Sequence, residues 1–146
     1  MKIDKFDGEY FFLSNFYFCP TPIYDEFGIA YPTVEHFFQA KKSLNHSDRI
    51  MIAATARPGK AKRLGRQIKL RPDWEEVKLN IMAEGLRQKF SDLDLRNRLL
   101  ATGDAELIEG TTWHDTYWGI DLNTGEGENH LGKLLMESRA RYRKGL

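Results

Sequence analysis

Pro32-Thr33-Val34-Glu35-His36-Phe37-Phe38-Gln39-Ala40-Lys41-Lys42 decides how this chain is read. Pro32-Thr33 is a helix start, with the Thr33 hydroxyl free to cap the first turn, and the spacing predicts a helix over Val34 to Leu44. At about 100° per residue, Glu35, Phe38, Gln39 and Lys42 share one face. That face joins a carboxylate, an amide and an amine to a phenyl ring. Two interpretations are open. It is either a solvated face, with Glu35 and Gln39 as an ordinary i,i+4 pair, or a site. Phe37 and Phe38 lie about 100° apart, which implies burial over much of the helix circumference. A carboxylate beside Phe38 in a partly dry cleft has a raised pKa and can act as acid or base.

Helices dominate outward from this stretch. Ser47-Asp48 caps a second helix to Ala56, and Pro58 begins a third running to about Ile68. Asp73 caps a fourth from Trp74 to Phe90, and Asp92 a fifth ending at Thr102-Gly103. A last helix runs from about Asn129 to Tyr142. Upstream, the aromatic run Tyr10 to Phe18 reads as strand. Ile23-Tyr24 and Ile29-Ala30-Tyr31 flank Asp25-Glu26-Phe27-Gly28 as a hairpin. Leu107-Ile108-Glu109 and Tyr117 to Ile120 are short strand candidates. The pattern is α+β, predominantly helical, with a few short strands near the N-terminus and after residue 105.

With 146 residues, the chain fits one domain, 1–146, around one core. Net charge is +1, so attraction for phosphate has to be local. It is concentrated between Arg57 and Arg71, where seven basic residues occur without an acidic one. Pro58-Gly59 at a helix start adds free backbone N–H groups and the positive end of a dipole. That segment is either a phosphate site or a solvated amphipathic helix. A single cysteine, Cys19, excludes an internal disulfide framework and suits a reducing, cytosolic setting. It lies in an aromatic run without a base to activate it, and is expected to be buried and inert. No membrane span and no export signal core is present. The four histidines are scattered singly, and His36 has no partner at ligand spacing on its helix, so no metal and no cofactor is expected.

A third segment, Trp113-His114-Asp115-Thr116-Tyr117-Trp118-Gly119-Ile120-Asp121, sets aromatics and carboxylates beside Gly-rich chain. Aromatic faces stack on bases, and carboxylates bind sugar hydroxyls or stabilise an oxocarbenium-like centre. The alternative is a tight core loop, with Trp118 buried and Asp115 capping a turn.

These motifs in this order resemble the NADAR (NAD- and ADP-ribose-associated, YbiA-like) family. Leu13-Ser14-Asn15-Phe16 comes first, then Pro32 to Lys42 and Ala61-Lys62-Arg63-Leu64-Gly65-Arg66. Lys89-Phe90, Leu99-Leu100-Ala101-Thr102-Gly103 and Leu107-Ile108-Glu109 follow. The set closes with Asp115-Thr116-Tyr117-Trp118-Gly119 and Asn129-His130-Leu131-Gly132-Lys133-Leu134-Leu135-Met136. The likeness runs over roughly residues 6 to 142. One departure is Trp118-Gly119-Ile120-Asp121, where the family's usual string is Trp-Gly-x-Gly.

The resemblance implies N-glycosidase activity on ribose attached to an exocyclic amine. Two substrates are associated with such proteins: ribosylaminopyrimidine phosphates of early riboflavin synthesis, and guanine carrying ADP-ribose on its amino group, in nucleic acid or free. A ribosylamine can ring-open to an imine, which makes Lys42 the candidate nucleophile at C1′ and Glu35 the proton shuttle. A direct route, with Glu35 activating water, stays open. On the same reading Asn15 and Asp115 orient ribose, and Trp118 packs on base or sugar. Arg57, Lys62 and Arg66 meet phosphate. Phe38, Gln39, Trp113 and Asn129 complete the expected binding set. The competing functions are a non-catalytic ADP-ribose or NAD-metabolite binding module, which needs only the aromatic and basic groups, and a nucleic-acid binder resting on the 57–71 patch.

Overall fold

The computed structural model describes residues 1–146. The fold is α+β and predominantly helical, with strands of two residues paired in three two-stranded ladders. Backbone contacts group the chain into two compact units: Met1–Ser14 with Leu93–Leu146, and Asn15–Asp92.

The Asn15–Asp92 unit is organised around α1 (Val34–Ala40), every residue of which is buried. A helix buried on all sides belongs at the centre of its unit. Here it packs on α2 (His46–Ala53), α3 (Pro58–Gly65), α4 (Trp74–Lys89) and the antiparallel hairpin β2 (Ile23–Tyr24) and β3 (Ala30–Tyr31). The hairpin turn uses Gly28 at φ 78°, and the Asp25 carboxylate accepts from the N–H groups of Phe27 and Ile29 (2.9 and 3.0 Å). The other Asp25 oxygen accepts from Tyr31 Oη (2.7 Å) and from the fully buried Arg49 (3.2 Å), which ties the hairpin to α2.

Thr33 starts α1 as the sequence implies, its Oγ1 accepting from His36 N at 3.0 Å. The helix ends at Ala40, short of Leu44. Lys41 N still donates to Phe37 O (3.0 Å), and the following amides turn back three residues: Lys42 N donates to Gln39 O (3.2 Å) and Ser43 N to Ala40 O (3.1 Å). The freed carbonyls of Lys41 and Lys42 accept instead from Arg71. Helix α2 is capped by Asn45, not by Ser47-Asp48, and α3 stops at Gly65 rather than Ile68. Gly65 has a packing reason: a Cβ there would overlap the Gln39 amide and displace it from its bond to Glu35.

The second unit pairs β1 (Lys2–Ile3) with β4 (Glu106–Leu107), and β5 (Gly110–Thr111) with β6 (Ile120–Asp121), both parallel. Helix α6 (His130–Arg143) buries Leu131, Leu135, Ser138 and Arg139 on one stripe and packs on α5 (Leu93–Leu100) and β4. The strand expected over Tyr10 to Phe18 is absent. Gly8–Leu13 is a 3-10 helix, with consecutive Phe12 and Leu13 buried and Phe11 exposed. Aromatic content favours a pleated surface only where a partner strand exists, and here none pairs with it. No helix is long and apolar enough to cross a membrane.

Candidate active site

Within the Asn15–Asp92 unit, α1 presents Glu35 and Gln39 one turn apart, 7% and 4% exposed, which removes the solvated-face alternative. Gln39 Nε2 donates to Glu35 Oε1 at 3.0 Å. The other end of that amide, Oε1, is buried without a hydrogen-bond partner. Asn15 lies beside them, its carbonyl accepting from Glu35 N (3.1 Å). The Asn15 side chain is also incompletely used. Its Nδ2 points at Met82 Sδ (3.5 Å), a weak acceptor, and its Oδ1 is buried with no partner. Native proteins rarely leave buried polar atoms unpaired, because each costs about 1–3 kcal/mol. Two of the three such side-chain atoms, Asn15 Oδ1 and Gln39 Oε1, lie beside Glu35; the third is Nη2 of Arg49.

Lys42 completes the group. Its amine lies 5.8 Å from the Phe38 ring centroid and 5.9 Å from that of Trp74, and the two rings are tilted against each other at 5.0 Å. Burial holds the Lys42 amine below the usual lysine range; Glu35 pulls it back up, while Arg66 and Lys62 push it further down. A lysine is nucleophilic only when deprotonated, so this environment suits attack on a carbonyl or imine carbon. Neighbouring Lys41 is differently placed. It donates to Glu26 at 2.8 Å. Burial opposes ionisation of Glu26, but hydrogen bonds from Lys41 and Arg49 hold its carboxyl near 2. Of the basic segment, Lys62 and Arg66 lie within electrostatic reach of Lys42, whereas Arg57 is the exposed residue preceding α3.

His36 and Cys19 have scaffold environments. The carbonyl of Thr55 can only accept, so the His36 Nε2 at 3.0 Å carries the proton; Nδ1, 2.7 Å from Thr33 Oγ1, is then the acceptor. Burial lowers the His36 pKa and keeps the ring neutral. Both nitrogens are taken, and no group of three or more His, Cys, Asp or Glu is arranged to hold a metal. Cys19 is half-buried rather than buried, and burial pushes its thiol up despite Lys89 nearby. Lys89 is itself buried, its amine 5.5 Å from the Tyr17 ring centroid and 5.3 Å from that of Phe90.

The remaining expected site residues belong to the other unit. Asp115 Oδ1 accepts from Tyr117 N (3.1 Å) and Trp118 N (2.9 Å), the turn-capping arrangement. Trp118 is half-buried against Tyr117 (centroids 4.8 Å apart), and Trp113 is exposed. Asn129 sits at φ 53° with both ends of its amide engaged: Oδ1 accepts from Glu109 N (3.0 Å), and Nδ2 donates to Leu107 O (2.9 Å). Sequence reasoning missed three residues of the first unit, Trp74, Arg71 and Asp73. Trp74 was legible only as the first apolar position of α4.

A buried carboxylate, an amide with an unpaired oxygen and an amine of lowered pKa thus lie on and just beyond one helix of an α+β scaffold. The chain belongs to the NADAR family, whose domain model matches residues 3–143. It is 46% identical over 115 residues to N-glycosidase YbiA of Escherichia coli strain K12, covering 77% of this chain and 71% of that protein. The NMR structure of the E. coli protein YbiA superposes with a TM-score of 0.83 at 39% identity, over 99% of this chain and 85% of that one. A riboflavin biosynthesis protein of Vibrio vulnificus is 36% identical over 138 residues, 91% of this chain but 36% of the relative. These likenesses place the chain among hydrolases that act on N-glycosyl compounds.

Proposed function

We propose that this enzyme hydrolyses the bond between a phosphorylated ribose and an exocyclic amine of a base, through an imine between Lys42 and ribose C1′. The observation that carries the reading is the Lys42 amine, lowered in pKa by burial and facing two aromatic rings, with Glu35 in electrostatic range. Protonation of the ring oxygen opens the ribosylamine to an imine at C1′. The Lys42 amine adds to C1′, a proton passes to the departing nitrogen, and the base amine leaves, so that a Lys42–C1′ imine replaces the substrate's own. Water then adds to C1′, and its collapse frees the ribose aldehyde and restores the amine. Net consumption is one water per bond cleaved. Glu35 moves each proton. The iminium carries a positive charge that two ring faces stabilise. Asn15 Oδ1 is an acceptor for a ribose hydroxyl, Gln39 orients Glu35, and Lys62 and Arg66 attract the phosphate.

Two substrate classes share this chemistry. The riboflavin-related relative favours ribosylaminopyrimidine phosphates. Guanine bearing ADP-ribose on its amino group offers the same C1′–N bond. A cytoplasmic setting suits either, and we read residues 1–146 as one catalytic domain in line with the extent of the family match.

Base release from each substrate decides between the two classes. Borohydride added during turnover is expected to reduce the iminium and leave the sugar on Lys42. Lys42→Ala and Lys42→Arg should abolish both trapping and release, since guanidinium stays protonated. Normal turnover by Lys42→Ala removes the imine route, and sugar mapped to Lys89 moves the nucleophile there.

A further inference from the structure

Lys41 N still reaches Phe37 O (3.0 Å) and Lys42 N turns back to Gln39 O (3.2 Å), but past the end of α1 the helix ladder does not hold the Lys41 and Lys42 carbonyls. Something else must. Arg71 N donates to Lys42 O at 2.7 Å, and Arg71 Nη1 donates to Lys41 O at 3.3 Å. The same guanidinium grips Asp73 with its two remaining nitrogens, Nε to Oδ1 (2.6 Å) and Nη2 to Oδ2 (3.2 Å). Asp73 occupies the N-cap position of α4 yet makes no side-chain cap bond. An aspartate there ordinarily accepts from the first helical amides; this one is held by Arg71 instead. The residue after it is Trp74, whose ring lies against Phe38 and near the Lys42 amine.

We propose that Arg71, anchored by Asp73, is a positioning residue that holds Lys42 in register over the Phe38–Trp74 rings. The inference rests on Lys42 being the nucleophile. One residue, through its main-chain amide to Lys42 O and its guanidinium to Lys41 O and to Asp73, joins both lysines to the start of the helix carrying Trp74, so the side chain braces the turn in which the Lys42 backbone is held. Lysine could not replace it, because the fork geometry needs several donors in one plane. A cavity of about 390 Å³, lined in part by Ser43, Leu44, Leu70 and Arg71, gives small solutes access to this clamp.

The test compares wild type, Arg71→Ala, Arg71→Lys and Asp73→Asn for kcat, KM, pH profile and rate of borohydride trapping, with thermal melts as a fold control. Arg71→Ala should lower kcat and the trapping rate by about 10–100-fold, the scale of a misplaced reacting group, with KM nearly unchanged. The acid limb of its kcat/KM profile should move to higher pH, because a loosened Lys42 is better hydrated and easier to protonate. Added guanidinium ion, at concentrations far below denaturing, should restore part of kcat in Arg71→Ala and none in Lys42→Ala. Arg71→Lys should not rescue, and Asp73→Asn should shift the limb in the same direction by less. Folded Arg71→Ala with wild-type kcat, pH profile and trapping rate overturns the clamp while leaving the imine reading intact. If Arg71→Ala fails to fold, an unaltered profile in Asp73→Asn overturns it equally. Wild-type enzyme that gives no adduct on Lys42 overturns the imine reading, and the clamp with it.

Discussion

Asn15 and Asn129 are both buried, and both fall in motifs that the sequence marked for substrate. Their amides are used in opposite ways. Asn129 joins the backbone of Leu107 and Glu109 to the start of α6 with both ends engaged. Asn15 keeps Oδ1 unpaired and gives Nδ2 only a thioether. The contrast extends to the carboxylates. Glu35 lies beside a glutamine whose other end is unpaired; Asp115 caps two amides of its own turn. Beside Glu35 two buried amides keep hydrogen-bonding capacity in reserve, whereas in the 113–129 segment Asp115 and Asn129 hold the backbone in shape. The motifs therefore contain two kinds of residue, those whose amide or carboxylate is used up on the backbone and those, Asn15 and Gln39, whose amide is not.

The sharpest way to break this contrast is to swap the two acids. Glu35→Gln should slow base release by about 10²–10⁴-fold and leave the melting temperature near that of wild type. Asp115→Asn retains an oxygen that can accept from Tyr117 and Trp118, so its rate should stay within about tenfold of wild type, well below the usual loss for an acid–base group. Rate measurements under saturating substrate compare the two directly. An Asp115→Asn enzyme as slow as Glu35→Gln would give the 113–129 segment a chemical role that its hydrogen bonds do not suggest.

The asparagines sharpen it next. Asn129→Ala leaves the Glu109 N–H and the buried Leu107 carbonyl without their partner and puts alanine, which tolerates the left-handed region less well than asparagine, at φ 53°, so denaturant unfolding should show a loss of about 2–4 kcal/mol. Activity per folded molecule should persist. Asn15→Leu replaces an incompletely bonded amide with an apolar group of similar shape. It should cost little stability, or add some, while lowering kcat/KM by about 10–100-fold, the scale of a lost hydrogen bond to a substrate hydroxyl. The reverse pattern would defeat the distinction.

The same contrast explains what could be read in advance. The hairpin was legible because Asp25 and Gly28 act within their own turn, and the start of α1 because Thr33 caps a residue three positions on. The end of α1 was not legible, since it depends on Arg71, thirty residues away from Lys41. Glu35, Gln39 and Lys42 emerged from helical spacing even though Lys42 lies outside the helix, because the three-residue turn keeps it near the same side as Phe38. Trp74 and Asp73 were hidden for the same nonlocal reason: one read as an ordinary core position, the other as an ordinary cap. The aromatic run at 10–18 misled because strand propensity says nothing about whether a partner strand is present.

The smallest expected effect concerns the two cations near Lys42. Arg66 and Lys62 push the Lys42 amine down, and Glu35 pulls it up. Only the neutral amine attacks, so the acid limb of kcat/KM follows Lys42 if it titrates in the free enzyme. Arg66→Gln removes a like charge that disfavours the protonated amine. Its pKa should then rise, and the limb should move to higher pH. Glu35→Gln removes the opposite influence, so its residual activity should show the limb moved to lower pH. The two shifts have opposite signs, which a general loosening of the fold would not produce. Neutralising Arg66 or Lys62 should also raise KM for the phosphorylated substrate, by about tenfold for one charge-assisted contact. Arg57→Gln should leave the pH limb in place, since Arg57 is not among the groups acting on Lys42. A profile that moves equally for Arg57→Gln and Arg66→Gln would mean that the whole 57–71 segment acts as a diffuse field. Arg66 and Lys62 would then have no specific hold on the Lys42 pKa beyond that shared field.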